Sequence, residues 1–279
     1  MMAGLLLQSR LLHRGALATL AAAAFCLPSM LPAQQGSDPN ALAIVHGAVA
    51  AQLKADRDDH SNWIYRDHDV EARDVVYTCV GSPQGELKRM IELNGHPISP
   101  EETQRETQRI AEFVRDPEAQ ARAHRNAMHD DAQATELLKM LPDAFLWTIV
   151  SDNPTDTTLS FRPNPSFNPP DMEARVMGAM AGTMVVMHNG NHIRTFRGSL
   201  TENILIGFGL VGRLYKGGTF DIERREVGPG YWEITETHVH IGGHVLFFKT
   251  IGQQEDDVKT DWKPSPAQSL KDAERILAK

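Results

Sequence analysis

The chain has 279 residues, with 28 Lys and Arg against 36 Asp and Glu, and a net charge of −8 with neutral histidines. That acidic balance argues against a nucleic-acid binder and against attraction to an anionic membrane surface, because both need clustered cations. Two cysteines exclude a disulfide-dense scaffold.

Arg10 and Arg14 precede an apolar, alanine-rich run from Gly15 to Leu27, and Leu31-Pro32-Ala33 is a small-residue cleavage site. This predicts a secretory signal peptide over residues 1–33 and a single domain over 34–279. Cleavage would leave about 246 residues, enough for a sizeable core. It would remove Arg10 and Arg14 and take the net charge from −8 to −10. Acylation of Cys26 would instead make a lipoprotein, though Phe25 stands where a lipobox has a small residue. Cys79 alone would remain, as a small buried hydrophobe rather than a nucleophile. Beyond the leader no stretch is apolar and long enough for an integral membrane protein.

Asp38-Pro39 is a helix start, with Leu42, Val45, Val49 and Leu53 on one face and the charged run Lys54 to Asp59 at its end. Three strands follow, from Trp63, from Asp74 to Val80 and from Glu86 to Leu93, the last two joined through Gly81 to Gly85. Ser99-Pro100-Glu101-Glu102 opens a second helix with a capping box, and Asp116-Pro117-Glu118 restarts it. The stretch 99–141 is predicted to be a solvated helical arm, anchored at its ends and stopping near Met140, before Pro142. Strands are expected at Ala144 to Val150 and Thr157 to Phe161, then one or two helical turns over Glu173 to Ala181.

From Gly182 to Lys263 the pattern is an antiparallel meander. Asn189-Gly190 predicts a two-residue hairpin turn, since both residues tolerate positive φ. Further turns are expected at Gly228-Pro229-Gly230 and Gly242-Gly243. The second would pair Val239 with Leu246 and Glu236 with Lys249, and would place His244 on the face opposite His238 and His240. Apolar side chains then fall on both faces of the sheet, so a face that would otherwise be wet must be covered or hollow. Ile204 to Gly212 is a buried strand or an apolar flap, and Ala267 to Leu277 a terminal helix.

His238 and His240 share one strand face, the spacing of a ligand pair, with Glu236 as the third candidate for a metal-dependent enzyme on the strand 232–241. Two ligands do not make a site, and no G-x-S-x-G elbow, H-E-x-x-H helix, Walker loop or dinucleotide fingerprint is present. No catalytic residue and no cofactor is assigned.

Gly182-Thr183-Met184-Val185-Val186 with Ile193 to Gly198, then Tyr231-Trp232-Glu233-Ile234, Leu246 to Ile251 and Thr260 to Pro264, resemble strands of the outer-membrane lipoprotein-sorting (LolA/LolB-like) superfamily. The resemblance covers about the C-terminal third. It implies an α+β fold: a curved antiparallel sheet, an incomplete β-barrel, with an N-terminal helix on its concave face and here a long helical insertion. It also implies a periplasmic, outer-membrane-associated binding protein for an apolar ligand, a lipid or lipoprotein acyl chain. Val185, Ile206, Phe208, Leu210, Trp232 and Phe247 are its candidate cavity residues. A cell-envelope interaction module that uses the helical arm to hold a partner is the alternative.

Overall fold

The computed structural model describes residues 36–70, 74–206, 212–245 and 252–279. The expected leader lies outside them. The described chain from Gly36 onward is one compact unit. It begins with α1 (Pro39–Asp58), β1 (Trp63–Asp69), β2 (Val75–Ser82), β3 (Gly85–Leu93), the short β4 (His96–Pro97), α2 (Pro100–Arg115) and α3 (Pro117–Ala144). It continues through β5 (Phe145–Asp152), β6 (Asp156–Pro163), α4 (Met172–Gly178), β7 (Met180–Met187) and β8 (Ile193–Leu200). It ends with β9 (Ile204–Ile206), β10 (Gly212–Leu214), β11 (Thr219–Gly228), β12 (Tyr231–Val245), β13 (Gly252–Pro264) and α5 (Leu270–Leu277). The fold is α+β, as expected: the strands form one large, open antiparallel sheet that does not close into a barrel. The strand order is β4-β3-β2-β1-β13-β12-β11-β8-β7-β6-β5, with β10 and β9 added beside the far end of β12. No helix among the described residues is long and apolar enough to cross a membrane.

Local sequence explains the helix ends. Asp38 accepts from the Asn40 amide and Pro39 follows it, so α1 starts there. Ser99 and Glu102 form the reciprocal capping box of α2. Asp116, at φ −104° and ψ 95°, ends α2, and its carboxylate accepts from Glu118 and Ala119 to start α3. The middle of α3, residues 121–132, is exposed throughout, as expected of a solvated arm. The helix does not stop before Pro142 but runs through it to Ala144. Leu138 and Leu141 there join the core, and Trp147 Nε1 donates to the Leu141 carbonyl, so packing outweighs the one lost helical bond.

The two halves of the sheet are covered on opposite faces. The face that α1 packs on is called inner here. It carries Trp147, Leu159, Phe161, Met184 and Phe220 against Ala41, Val45, Ala48 and Val49 of α1. Each buried valine contributes about 1.5–3 kcal/mol. In the β1–β3 half, α2 and α5 pack on the outer face instead, where Ile64, Val80 and Leu87 meet Ile110, Leu270 and Leu277. Apolar residues on both faces are thus covered by different helices in different places.

Two turns differ from expectation. The β7–β8 loop has four residues, His188 to Asn191, closed by the Met187 amide donating to the His192 carbonyl. Positive φ falls on Gly190 (78°) and Asn191 (54°), one position later than an Asn189-Gly190 turn requires. A bulge at Arg194, where Val185 pairs with Thr195 but Val186 with Ile193, shifts the register. Gly242 and Gly243 make no turn. They lie within β12, where Gly242 pairs with Gly252 of β13 and Gly243 with Leu214 of β10. Val239 therefore faces Glu255 and not Leu246, and Glu236 pairs with Val258. The expected partner of Glu236, Lys249, lies outside the described residues; Arg225 binds it instead, at 2.7 Å. Strand alternation through the glycine pair returns His244 to the side of His238 and His240. The Pro229-Gly230 turn is as expected, with Gly228 opposite Tyr231 and Gly230 at φ 84°.

One cross-strand glycine pair makes room for the core aromatics. Gly182 faces Gly198 across β7 and β8. A Cβ at Gly198 would lie 2.7 Å from the Phe220 ring and 2.9 Å from the Ala181 carbonyl oxygen. Gly198→Val is expected to cost roughly 1–3 kcal/mol through overpacking. Calorimetric melting should show a drop of several degrees, and an unchanged melting temperature would contradict this packing.

Candidate functional site

Of the residues named from sequence, Phe208, Leu210 and Phe247 lie outside the described residues. Ile206 packs half-buried against the main core. Val185 alternates with the buried Met184 and Val186 and so lies on the outer face, between Thr158 and Thr195. Trp232 is half-buried and stacks on His192, with ring centres 4.9 Å apart. The structure does not gather these three into one cavity.

The histidines have a partner that spacing did not reveal. His238 Nδ1 and His240 Nε2 each lie 2.7 Å from a different oxygen of Asp256, on the next strand. The two imidazoles hold the Asp256 carboxyl below its usual range through these hydrogen bonds. Glu236 is 3.9 Å from His238 Nε2 and is taken by Arg225. Arg197 with Asp221, and Arg225 with Glu223, extend this outer-face network. It is a solvated set of alternating charges in which each exposed pair is worth under about 1 kcal/mol. Among the described residues, no group of three or more His, Cys, Asp or Glu is arranged to hold a metal ion.

The inner face supplies a different constellation. One cross-strand row can be followed through ten strands. It runs Ile149, Leu159, Met184, Phe196, Ile222 and then changes character at Thr237, Asp257 and Asp69 before Val75 and Leu93. The apolar part lies under α1. The polar part begins where β12 and β13 lead into β1, on the face that α2 and α5 do not use. Alternation places Tyr65, Asp67, Cys79, Lys88 and Lys259 on this same face.

Asp67 lies within this polar strip, called the trough below, with 2% of its surface exposed. Its Oδ2 accepts from Lys88 Nζ at 2.9 Å, while its buried Oδ1 has no hydrogen-bond partner. Lys88 also lies over the Tyr77 ring, 5.8 Å from the centre. Burial works most strongly against the Lys88 charge, but the Asp67 hydrogen bond together with the nearby charges of Asp67 and Glu86 outweighs it and raises the Lys88 pKa. Tyr65 donates to Glu86 at 2.8 Å and stacks on Trp262, centres 4.3 Å apart. Glu86 is in contact with water yet hemmed in by protein, and that desolvation lifts its carboxyl, opposed by the Tyr65 bond.

Asp257 has the largest carboxylate shift in the trough. Burial first, then the like charges of Asp67, Glu255 and Asp69, push it up to about 6. Lys259 opposes this and forms no ion pair among the described residues. Nearer α1, burial raises Glu233 against the pull of Arg224, and Asp59 and Asp56 of the α1 end add to the rise. Arg224 donates to the Trp232 carbonyl at 2.6 Å, and its buried Nε has no partner. The Cys79 thiol is pushed up to about 12 by burial, then by Glu86, so it stays protonated at neutral pH. Beside the Tyr65–Trp262 stack, an open cleft of about 520 Å³ is lined by Ile64, Arg66, Thr78, Asp261 and Lys263 together with the two rings.

Sequence reasoning missed this trough because its residues come from three distant segments. The available signal was period-2 alternation of acids, Asp67-x-Asp69 and Glu255-x-Asp257, in strands whose other face is apolar or paired. In comparison with known proteins, no family model, no curated protein and no solved structure matches this chain.

The raised Asp257 pKa has a signed consequence. Between about pH 4 and 6 the folded state keeps a proton that the unfolded chain has lost, so stability falls as pH rises through that window. It remains lower above it. Asp257→Asn removes this loss. Discounted for solvent screening, it should stabilise the protein by about 1 kcal/mol at pH 8 and by nothing near pH 3.5. Denaturant titrations at the two pH values would check it, and equal effects at both would refute it.

Proposed function

We propose that this chain is an exported, non-enzymatic binding protein that takes a polar ligand into the inner-face trough. One observation carries the reading: a carboxylate 2% exposed, with one buried oxygen lacking any partner, on the polar part of the inner face that α2 and α5 do not use. An unmade hydrogen bond on a buried carboxylate oxygen costs about 1–3 kcal/mol or more. Such a cost is retained where another group completes the bond. The arginines and apolar run before residue 33 support export.

Binding is favoured over catalysis by the protonation states of the nucleophile candidates. Cys79 and Tyr65 are both shifted away from ionisation by burial, and the paired histidines lie on the opposite face. A polar ligand is favoured over an acyl chain because the apolar inner face is already filled by α1. The open sheet and the helix on its inner face agree with the lipoprotein-sorting resemblance in shape, while the chemistry of the trough departs from it.

Native mass spectrometry of the protein, purified from its producing cells without denaturation, is expected to show a co-purifying small molecule. Asp67→Asn should deplete that adduct. A wild-type mass free of any adduct, with the protein folded by circular dichroism, would overturn the reading.

A further inference from the structure

We infer that the cleft where β1 and β13 part binds the oxyanion of a small organic acid, a carboxylate or a phosphate, through Arg66, Lys263 and Thr78. This site is separate from the trough, because the three side chains belong to the outer face. Ile64 packs there against α2 and α5, Lys263 pairs with Ile64, and Arg66, two positions on, pairs with Thr78 and Thr260. Between those pairs Tyr65 stands opposite two residues, Asp261 and Trp262, so the ladder is interrupted. The open cleft of about 520 Å³ lies at this break, and all three residues line it.

The donors of the cleft are uncommitted. Arg66 approaches Asp261 at 3.4 Å, beyond the usual length of a charge-assisted hydrogen bond, and it donates no hydrogen bond to any other described residue. Lys263 forms no ion pair among the described residues, and the Thr78 hydroxyl has no hydrogen-bond partner among them. Asp261 is the single acid in the lining, and its side chain is 69% exposed, where water screens its opposition. The cross-strand row through the cleft, Arg89, Thr78, Arg66 and Thr260, carries no acid. Arg89 binds the Leu277 carbonyl and the Thr107 hydroxyl, and its buried Nε has no partner. Acids of the flanking elements are engaged elsewhere: Glu236 by Arg225, Glu106 by Arg109 and Asp74 by His68. A guanidinium presents a planar fork of donors that matches a carboxylate or phosphate edge, and an ammonium adds a second charge. An organic cation would meet one exposed acceptor and two like charges. A nucleic acid would need a longer basic track than this acidic chain offers. Ile64 and the Tyr65 and Trp262 rings supply apolar wall for the body of a small acid.

Amide chemical-shift titration with benzoate and with phenyl phosphate tests this, with benzylammonium (similar size, opposite charge) as comparator at fixed ionic strength. Saturable shifts centred on Arg66, Thr78, Asp261 and Lys263 are expected from at least one of the two acids, and the stronger of them tells carboxylate from phosphate. Arg66→Gln and Lys263→Gln should each weaken that binding roughly fivefold or more, the loss of a hydrogen bond to a charged group discounted for exposure. Asp261→Asn should strengthen it about threefold, because it frees Arg66 and removes the opposing charge. Asparagine tolerates the φ of 57° found there. Circular dichroism checks that each variant folds, and should one of the glutamine variants unfold, the other and Asp261→Asn decide. Undiminished binding by a folded glutamine variant, or weaker binding by Asp261→Asn, would overturn the assignment. So would an equal response to benzylammonium, or shifts that scatter over surface cations without saturating. Saturable shifts confined to Asp67, Lys88 and Asp257 would reject this cleft while leaving the trough as the binding site.

Discussion

The side-chain row that runs from Ile149 to Ile222 stops being apolar at Thr237, and much of the molecule depends on that change. A strand presents its residues to alternate faces, so a sheet can be covered on one face here and on the other face there only if its pattern inverts between strands. The inversion occurs at β12 and β13. On one side α1 buries the inner face; on the other α2 and α5 bury the outer face. The inner face of β1, β2 and β13 is left outside both helical layers, and that is where the acids collect.

The two charged regions of the sheet differ in energy although their composition is similar. On the outer face, Arg197, Arg225, Glu223 and Glu236 interleave, and the two histidines share Asp256. Water screens these pairs and each can rearrange at little cost. On the inner face the same residue types are hemmed in by protein. There desolvation leads the shifts of Tyr65, Glu86, Glu233 and Asp257. Interactions in such surroundings are stronger when satisfied and costlier when not. Asp67, half satisfied by Lys88, is the clearest case.

Helix starts were legible because a cap is a local device: Asp38, Ser99 and Asp116 each accept from amides two or three residues ahead. Strand positions were mostly legible for a similar reason, since β-branched runs between turn residues describe a pleated segment. The Gly242-Gly243 turn was not, because glycine is permissive rather than instructive. It allows a turn, and it equally allows the extended backbone of a strand paired on both sides. The one-residue offset in the β7–β8 loop depends on the bulge at Arg194, which no local pattern marks. Misplacing the first turn also misassigned His244 to the wrong face and gave Glu236 the wrong partner.

By itself, the sequence determined what local chemistry controls: an acidic chain, capped helices, a break at Asp116, a solvated arm and an antiparallel meander with apolar residues on both faces. It also held the two histidines on one strand face, because period-2 alternation is built into the backbone. Tertiary structure decided which face each helix covers, that Asp256 sits between those histidines, and that Asp67 meets Lys88 on the face it shares with Asp257. These contacts join residues from β1, β3 and β13, about 20 to 190 positions apart in the chain. Their geometry is fixed by strand register and by which half of the sheet α1 fills, and neither is encoded in a local window.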